Sequence, residues 1–156
     1  MYLLVINDMS SLLILGAGGH SKVVLDTAIS TNSFSSYAFL DDRFTSTVEF
    51  CSFSGYPVIG RLSQASELLL NENWDFACVA LGNSHLRLKL IYQLLRNGFN
   101  IPPIIHSSSI VSSTAQLGPG SVVFANSVVQ ASASIGTGCI LNTLSSVDHD
   151  CVLNDG

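Results

Sequence analysis

From Ile105 onward every sixth residue is aliphatic: Ile105, Val111, Leu117, Val123, Val129, Ile135, Leu141, Val147 and Leu153. The fifth place of the first eight units is always small, as Ser109, Ala115, Ser121, Ser127, Ala133, Cys139, Ser145 and Cys151. This double pattern predicts a hexapeptide-repeat parallel β-helix, in which each unit forms one flat side of a prism and three units close a coil. The aliphatic side chains fill the prism, and the small ones fit where the chain turns a corner. Before about Asn100 the pattern is different. Leu12 to Leu15 is a short apolar run suited to a buried parallel strand. It enters Gly16-Ala17-Gly18-Gly19-His20-Ser21, and helical character continues from Lys22 to about Ile29. Tyr37 to Leu40 reads as a second strand ending at Asp41-Asp42, and Phe76 to Leu81 as another ending at Gly82-Asn83. Ser84 to Asn97 is helical in period, with Gly98 placed to stop it. The expected fold class is therefore an α/β Rossmann-like domain over residues 1–104, followed by a prism of about three coils over 105–156.

Composition narrows the function. A net charge of −5 argues against nucleic acid or an anionic membrane as partner, since both normally require a basic stripe. All six Lys and Arg residues precede residue 100, so the repeat is free of them. No apolar run is long enough to span a bilayer, and Met1 to Met9 lack the basic start and apolar core of a signal peptide. Cys51, Cys78, Cys139 and Cys151 have neither metal-ligand spacing nor the density of a disulfide scaffold. All four are expected to be reduced packing residues in a cytoplasmic protein that holds no metal.

Strand, glycine turn and helix together set backbone N–H groups and a helix dipole against a phosphate. A full dinucleotide fingerprint would have glycine at Ser21 and a second mononucleotide half, for which the chain is too short. The turn thus indicates phosphate without saying which nucleotide, and tight packing of helix on strand remains the plain alternative. Asp41 or Asp42, about twenty positions on, suits a ribose or base contact. His20 stands where a ligand phosphate or sugar would meet the turn.

One cluster breaks the small and apolar texture of the repeat: Val147-Asp148-His149-Asp150-Cys151. Val147 and Cys151 take inward places, so His149 projects outward near a corner. An imidazole oriented by a carboxylate can accept a proton at neutral pH, and Asp150 or Asp148 can supply that carboxylate. A solvated surface histidine is the competing reading. His85, near a helix start, and His106, at the entry to the first coil, carry less information.

Five segments, GAGGHSKVV at 16–24, FLDD at 39–42, GYPVIG at 55–60, ALGNSHLRLKL at 80–90 and LNTLSSVDHDCV at 141–152, give the chain a specific likeness. In order and spacing it resembles the NeuD/PglD-like sugar O- and N-acyltransferases over nearly all residues after Met9. The resemblance implies a Rossmann-like domain for a nucleotide sugar, most simply a UDP-4-amino-sugar, and a left-handed β-helix for acetyl-CoA. It also implies a homotrimer with active sites between neighbouring prisms, and a role in bacterial surface-glycan synthesis. By position, His149 would be the general base, Asp150 its acidic partner, and Asn142 a residue lining the same site. Gly16, Gly18, Gly19 and His20 would surround the phosphates, Asp41 and Asp42 would face the nucleoside, and Gly82 and Asn83 would close the pocket. A strand-to-helix turn with an Asn cap is the plain reading of the last two. Direct transfer would need no Ser or Cys nucleophile, and the inward place of Cys151 argues against an acyl-cysteine.

Members of the family continue for several more coils, where their CoA-binding residues lie, whereas this chain stops four residues into the ninth unit. The expectation is thus of a truncated chain whose activity is in doubt. Two other readings stay open: an inactive nucleotide-sugar-binding fragment, and a small NAD-dependent oxidoreductase suggested by the glycine turn alone. The repeat counts against the latter, because it leaves no domain to receive a hydride.

Overall fold

A computed structural model describes residues 10–44, 51–71 and 74–156. The reading of Met1 to Met9 lies outside the described residues. The first half alternates β1 (Ser11–Leu15), α1 (Gly19–Ser30), β2 (Ser36–Leu40), β3 (Ser52–Phe53), β4 (Tyr56–Gly60), α2 (Ala65–Asn71), β5 (Phe76–Val79) and α3 (Ser84–Arg96). The sheet order is β3-β4-β2-β1-β5, parallel except for the short β3–β4 hairpin. After β1 the chain steps to β2 on one side, and β5 later takes the other side. The order therefore reverses at the carboxyl ends of β1 and β5, where ligands of open α/β sheets bind.

The apolar run of β1 is continuous because both faces of the sheet are covered. Leu12 and Ile14 join α1 residues Val24, Leu25 and Ala28 in one cluster, while Leu13 and Leu15 join Ala65, Leu69, Ile91 and Leu94 of α2 and α3 in the other. The β4 strand and α2 had no clear sequence signal. Gly55 and Pro57 break up the first, and the second is only seven residues long.

The hexads form a three-sided, left-handed parallel β-helix. Its strands are β6 (Ile104–Ile105), β7 (Ile110–Val111), β8 (Gln116–Leu117), β9 (Val122–Val123), β10 (Val128–Val129), β11 (Ser134–Ile135), β12 (Ile140–Leu141), β13 (Ser146–Val147) and β14 (Val152–Leu153). They stack as β6-β9-β12, β7-β10-β13 and β8-β11-β14. Partners such as Val129 and Val147 are one coil apart, so inward aliphatics meet in layers. Val123, Val129 and Ile135 of the middle coil are at most 2% exposed. The fifth-place residues do more than fit the corners. Ser109, Ser121 and Ser127 donate from Oγ to the carbonyls of Phe124, Gly136 and Asn142 in the next coil, at 2.7–2.8 Å. Each ties a corner carbonyl to the neighbouring coil, and the Phe124 and Asn142 oxygens also accept from the N–H of Ser127 and Ser145 within their own corners.

The three corners are distinct. The first comprises residues 106–109, 124–127 and 142–145, the second 112–115, 130–133 and 148–151, and the third 118–121, 136–139 and 154–156. The α/β half covers the face between the third and first corners. There the outward residues Ile104, Val122 and Ile140 join the α1-side core with Phe124. Helix α3 lies along the third corner, which explains its glycines. At Gly120 (φ +67°) and Gly138 (φ +65°) a Cβ would come within 2.7 and 2.9 Å of Ile91 Cδ1. The corresponding left-handed positions elsewhere hold Asn126, Ser132, Leu144 and Asp150, where no helix packs so closely.

All four cysteines are free, and Cys78 and Cys139 are buried. Cys51 and Cys151 are exposed, which corrects the expectation that all four are packing residues. Cys51 opens the β3–β4 hairpin on the sheet's edge. Cys151 has the fifth place of its unit, and among the described residues no strand stacks over it.

Candidate functional site

Gly16 continues directly from β1 at φ +108°, with its N–H donated to the Leu40 carbonyl at 2.7 Å. A Cβ there would lie 2.8 Å from Leu81 Cδ2 and 2.9 Å from the Ala80 oxygen, so this glycine is required by the chain itself. Gly18 and Gly19 are different: nothing lies within 4 Å of a Cβ built on either. Both are exposed where α1 begins, which leaves its first N–H groups open to an anion. Ser21 takes the place where a dinucleotide fingerprint has glycine. It is fully buried, accepts from Gly18 N–H at 3.2 Å and donates to the Ala80 carbonyl at 3.1 Å, tying the turn to the end of β5.

Asp41 is a brace in the structure. Its Oδ2 accepts from Ala17 N–H at 2.9 Å, and Arg43 Nε donates to its Oδ1 at 2.7 Å. The hydrogen bond from Arg43 holds this carboxyl below the usual range, aided by the Ala17 N–H. Arg43 closes the loop by donating from Nη2 to the Ala17 carbonyl. Asp42 is exposed, with Oδ1 accepting from Leu62 N–H at 3.1 Å. Asn83 caps α3, its Oδ1 accepting from Leu86 N–H at 2.9 Å, and exposed Gly82 precedes it. Gly16, Gly18, Gly19, His20, Gly82 and Asn83 thus gather at the carboxyl ends of β1 and β5.

His20 is half-buried, with its ring edge-on to Phe124 at a centroid distance of 5.6 Å. Its Nε2 is buried with no hydrogen-bond partner among the described residues. Burial, and then the Arg87 charge, push its pKa down, so the ring is neutral near pH 7. An orphaned nitrogen at this turn is a group that a ligand can satisfy.

His149 and Asp150 form the tip of the second corner in the third coil. Asp150 has φ +58°, a left-handed turn position that Asp tolerates. Its Oδ2 lies 2.7 Å from His149 Nδ1, and both side chains are exposed. The hydrogen bond to Asp150 raises the His149 pKa, assisted by the charges of Asp150 and Asp148. With Nδ1–H directed to the carboxylate, Nε2 is the proton acceptor. Asn142 is exposed at the first corner, with β13 between it and the His149 corner. One chain therefore does not gather Asn142 and His149 at one corner. Asn142 instead lies one coil from Phe124, on the side of the glycine turn.

The glycine cleft and His149 are also apart. The α/β half covers the face opposite the second corner, so His149 points away from it. Cys151 is exposed, which removes the packing argument against it as a nucleophile, but its thiol makes no hydrogen bond to the His149 ring among the described residues. An apolar hollow lined by Phe76, Leu95, Phe99, Pro102, Pro103 and Leu117 lies at the amino end of β5, away from both. No cluster of potential metal ligands occurs among the described residues, and no helix there is long and apolar enough to cross a membrane.

Comparison with known proteins agrees with this fold. The model of the PglD N-terminal domain family matches residues 11–94, from β1 into α3. The chain belongs to this family. It is 32% identical over 119 residues to the UDP-N-acetylbacillosamine N-acetyltransferase of Bacillus subtilis, covering 75% of this chain and 52% of that protein. Thus it spans about half the length of that curated relative. Among solved structures, it is similar to the acetyltransferase domain of PglB from Neisseria gonorrhoeae in complex with acetyl coenzyme A. That match has 39% identity and a TM-score of 0.81, covering 94% of this chain and 68% of that one. PerB from Caulobacter crescentus in complex with CoA and GDP-perosamine matches at 31% identity and a TM-score of 0.81, covering 92% and 65%.

Proposed function

We propose that the protein is the nucleotide-sugar and base-bearing part of a sugar N-acetyltransferase that uses acetyl-CoA as co-substrate. The observation that carries this reading is the exposed His149–Asp150 pair, held at 2.7 Å on a prism whose other side carries an open glycine cleft. The open Gly18-Gly19 turn and the α1 N-terminus receive the diphosphate of a UDP-4-amino-sugar. The names of the relatives, two of which act on or bind an amino sugar attached to a nucleotide, favour transfer to nitrogen over oxygen.

In the transfer, the sugar amine attacks the thioester carbonyl of acetyl-CoA and forms a C–N bond. His149 Nε2 takes the amine proton, the C–S bond breaks, and CoA leaves as a thiolate that is then protonated. Asp150 stabilises the imidazolium and fixes the tautomer. Proximity of amine and thioester supplies much of the rest of the acceleration.

The opposed placement of cleft and base supports a site built by two chains, the glycine cleft from one and His149 from another. This fits a closed homotrimer with the sites between prisms. The protein then works in glycan precursor synthesis in the cytoplasm. Acetyl transfer from acetyl-CoA to UDP-4-amino-sugar, followed by release of CoA and mass of the product, tests the reading. Amide formation that disappears in His149→Ala supports it, and unaltered turnover in that variant rejects the base.

A further inference from the structure

Arg87 stands out among the charged residues. It is 3% exposed, yet no carboxylate among the described residues forms an ion pair with it. A buried guanidinium without a counter-charge is costly unless other groups compensate it. Here the compensation comes from backbone carbonyls on both halves of the molecule. Nε donates to the Gly138 oxygen at 2.7 Å, at the corner where α3 meets the prism. Nη1 donates to the Leu81 oxygen at 2.7 Å and the Gly82 oxygen at 3.2 Å, in the segment that walls the glycine cleft. Nη2 has no hydrogen bond among the described residues. The side chain is close enough to depress the pKa of His20, whose own Nε2 lacks a partner.

A planar fork is needed for this geometry. Nε and Nη1 donate in divergent directions set by the rigid guanidinium, and a single lysine ammonium cannot reproduce both. The cleft wall after β5 is otherwise held by the Asn83 cap, which fixes the start of α3 but not the carbonyls of Leu81 and Gly82.

We propose that Arg87 is a positioning residue for the diphosphate cleft: its guanidinium fork fixes the Leu81–Gly82 wall against the prism at Gly138. Nucleotide-sugar affinity thereby depends on the docking of α3 on the third corner. This rests on the functional reading above, in which the cleft takes a nucleoside diphosphate sugar. It assigns to Arg87 a task separate from the proton transfer by His149.

The test is calorimetric titration of the full chain with UDP-N-acetylglucosamine and with UDP, comparing wild type, Arg87→Lys and Tyr92→Phe. Tyr92 belongs to the same helix and reaches the same corner through its hydrogen bond to Asp155, but among the described residues it makes no hydrogen bond to Leu81 or Gly82. It therefore reports what a simple loosening of α3 does. Circular dichroism at the titration temperature verifies folding, and Arg87→Gln provides a second variant should the lysine chain not fold. The expected result is a Kd raised about tenfold or more in the Arg87 variants and within twofold of wild type in Tyr92→Phe. Amide hydrogen exchange at Gly82 and Asn83 should quicken in the Arg87 variants, while that of β1 stays protected. Folded Arg87 variants that bind as tightly as wild type overturn the proposal. Equal weakening by Tyr92→Phe also overturns it, because α3 packing alone would then explain the loss. Failure of wild type to bind either ligand overturns the functional reading, and this inference with it.

Discussion

Substituting the two kinds of glycine in one turn should separate folding from binding. Gly16→Ala places a methyl at φ +108°, where an L residue is strained by about 1–2 kcal/mol. The same methyl would sit 2.8 Å from Leu81 Cδ2 and 2.9 Å from the Ala80 oxygen. The latter is backbone, held by the β1–β5 ladder, and overpacking of this sort costs about 1–3 kcal/mol. The summed loss is about 2–5 kcal/mol, a large part of the stability of an ordinary domain. Gly19→Ala meets nothing within 4 Å and lies at the first position of α1. Its fold should be unaffected or gain up to about 1 kcal/mol from reduced unfolded-state entropy. Its new methyl, however, projects into the open space that the proposed function assigns to the phosphates. Urea denaturation followed by far-UV circular dichroism, with UDP-sugar titration of each folded variant, reads both effects. The reasoning predicts an unstable Gly16→Ala and a stable Gly19→Ala that binds at least tenfold more weakly. A Gly19→Ala protein with wild-type affinity would refute the phosphate role of the turn, and a Gly16→Ala protein of wild-type stability would refute the steric argument.

Other outcomes follow from the same structure. The Asp150 hydrogen bond raises the His149 pKa, so if His149 is the base as proposed, a pH–rate profile of Asp150→Asn should show its acidic limb moved to lower pH. Leu144 holds φ +61° while 75% exposed, so Leu144→Asn should raise the urea midpoint by an amount equivalent to about 1 kcal/mol; a lowered midpoint contradicts the strain. Ile135→Ala, in the sealed middle layer, should cost about 2–5 kcal/mol, and Leu153→Ala in the half-exposed last layer clearly less, by the same unfolding assay. A thiol reagent should modify Cys51 and Cys151 in the native protein and reach Cys78 and Cys139 only on unfolding.

The prism was legible because its period is a direct record of which side chains point inward. Ile105 through Leu153 carry that record without interruption, and the small fifth places report the corners. The side the α/β half covers was also encoded, though less plainly. Ile104, Val122 and Ile140 form an aliphatic column just before the inward positions, and Gly120 and Gly138 recur eighteen residues apart on the corner next to it. The glycine turn could be read from the local sequence as the link from β1 to α1. The task of Asp41 could not, since Ala17 and Arg43 meet it only after β1 and β2 pair. Arg87 was hidden for the same reason: an arginine on a helix ordinarily faces water, and only the docking of α3 on the prism buries it. Asn142 and His149 were joined in one site by the family resemblance alone, and within one chain they stand on two corners with β13 between them.

The most direct test of the account is complementation between two inactive variants, His149→Ala and Gly19→Glu, co-expressed and assayed for acetyl transfer to a UDP-4-amino-sugar. A site formed by the cleft of one chain and the base of another predicts that mixed oligomers recover activity while each variant alone has little. Activity that stays absent in mixed oligomers, although wild-type chains transfer acetyl groups under the same conditions, would contradict it.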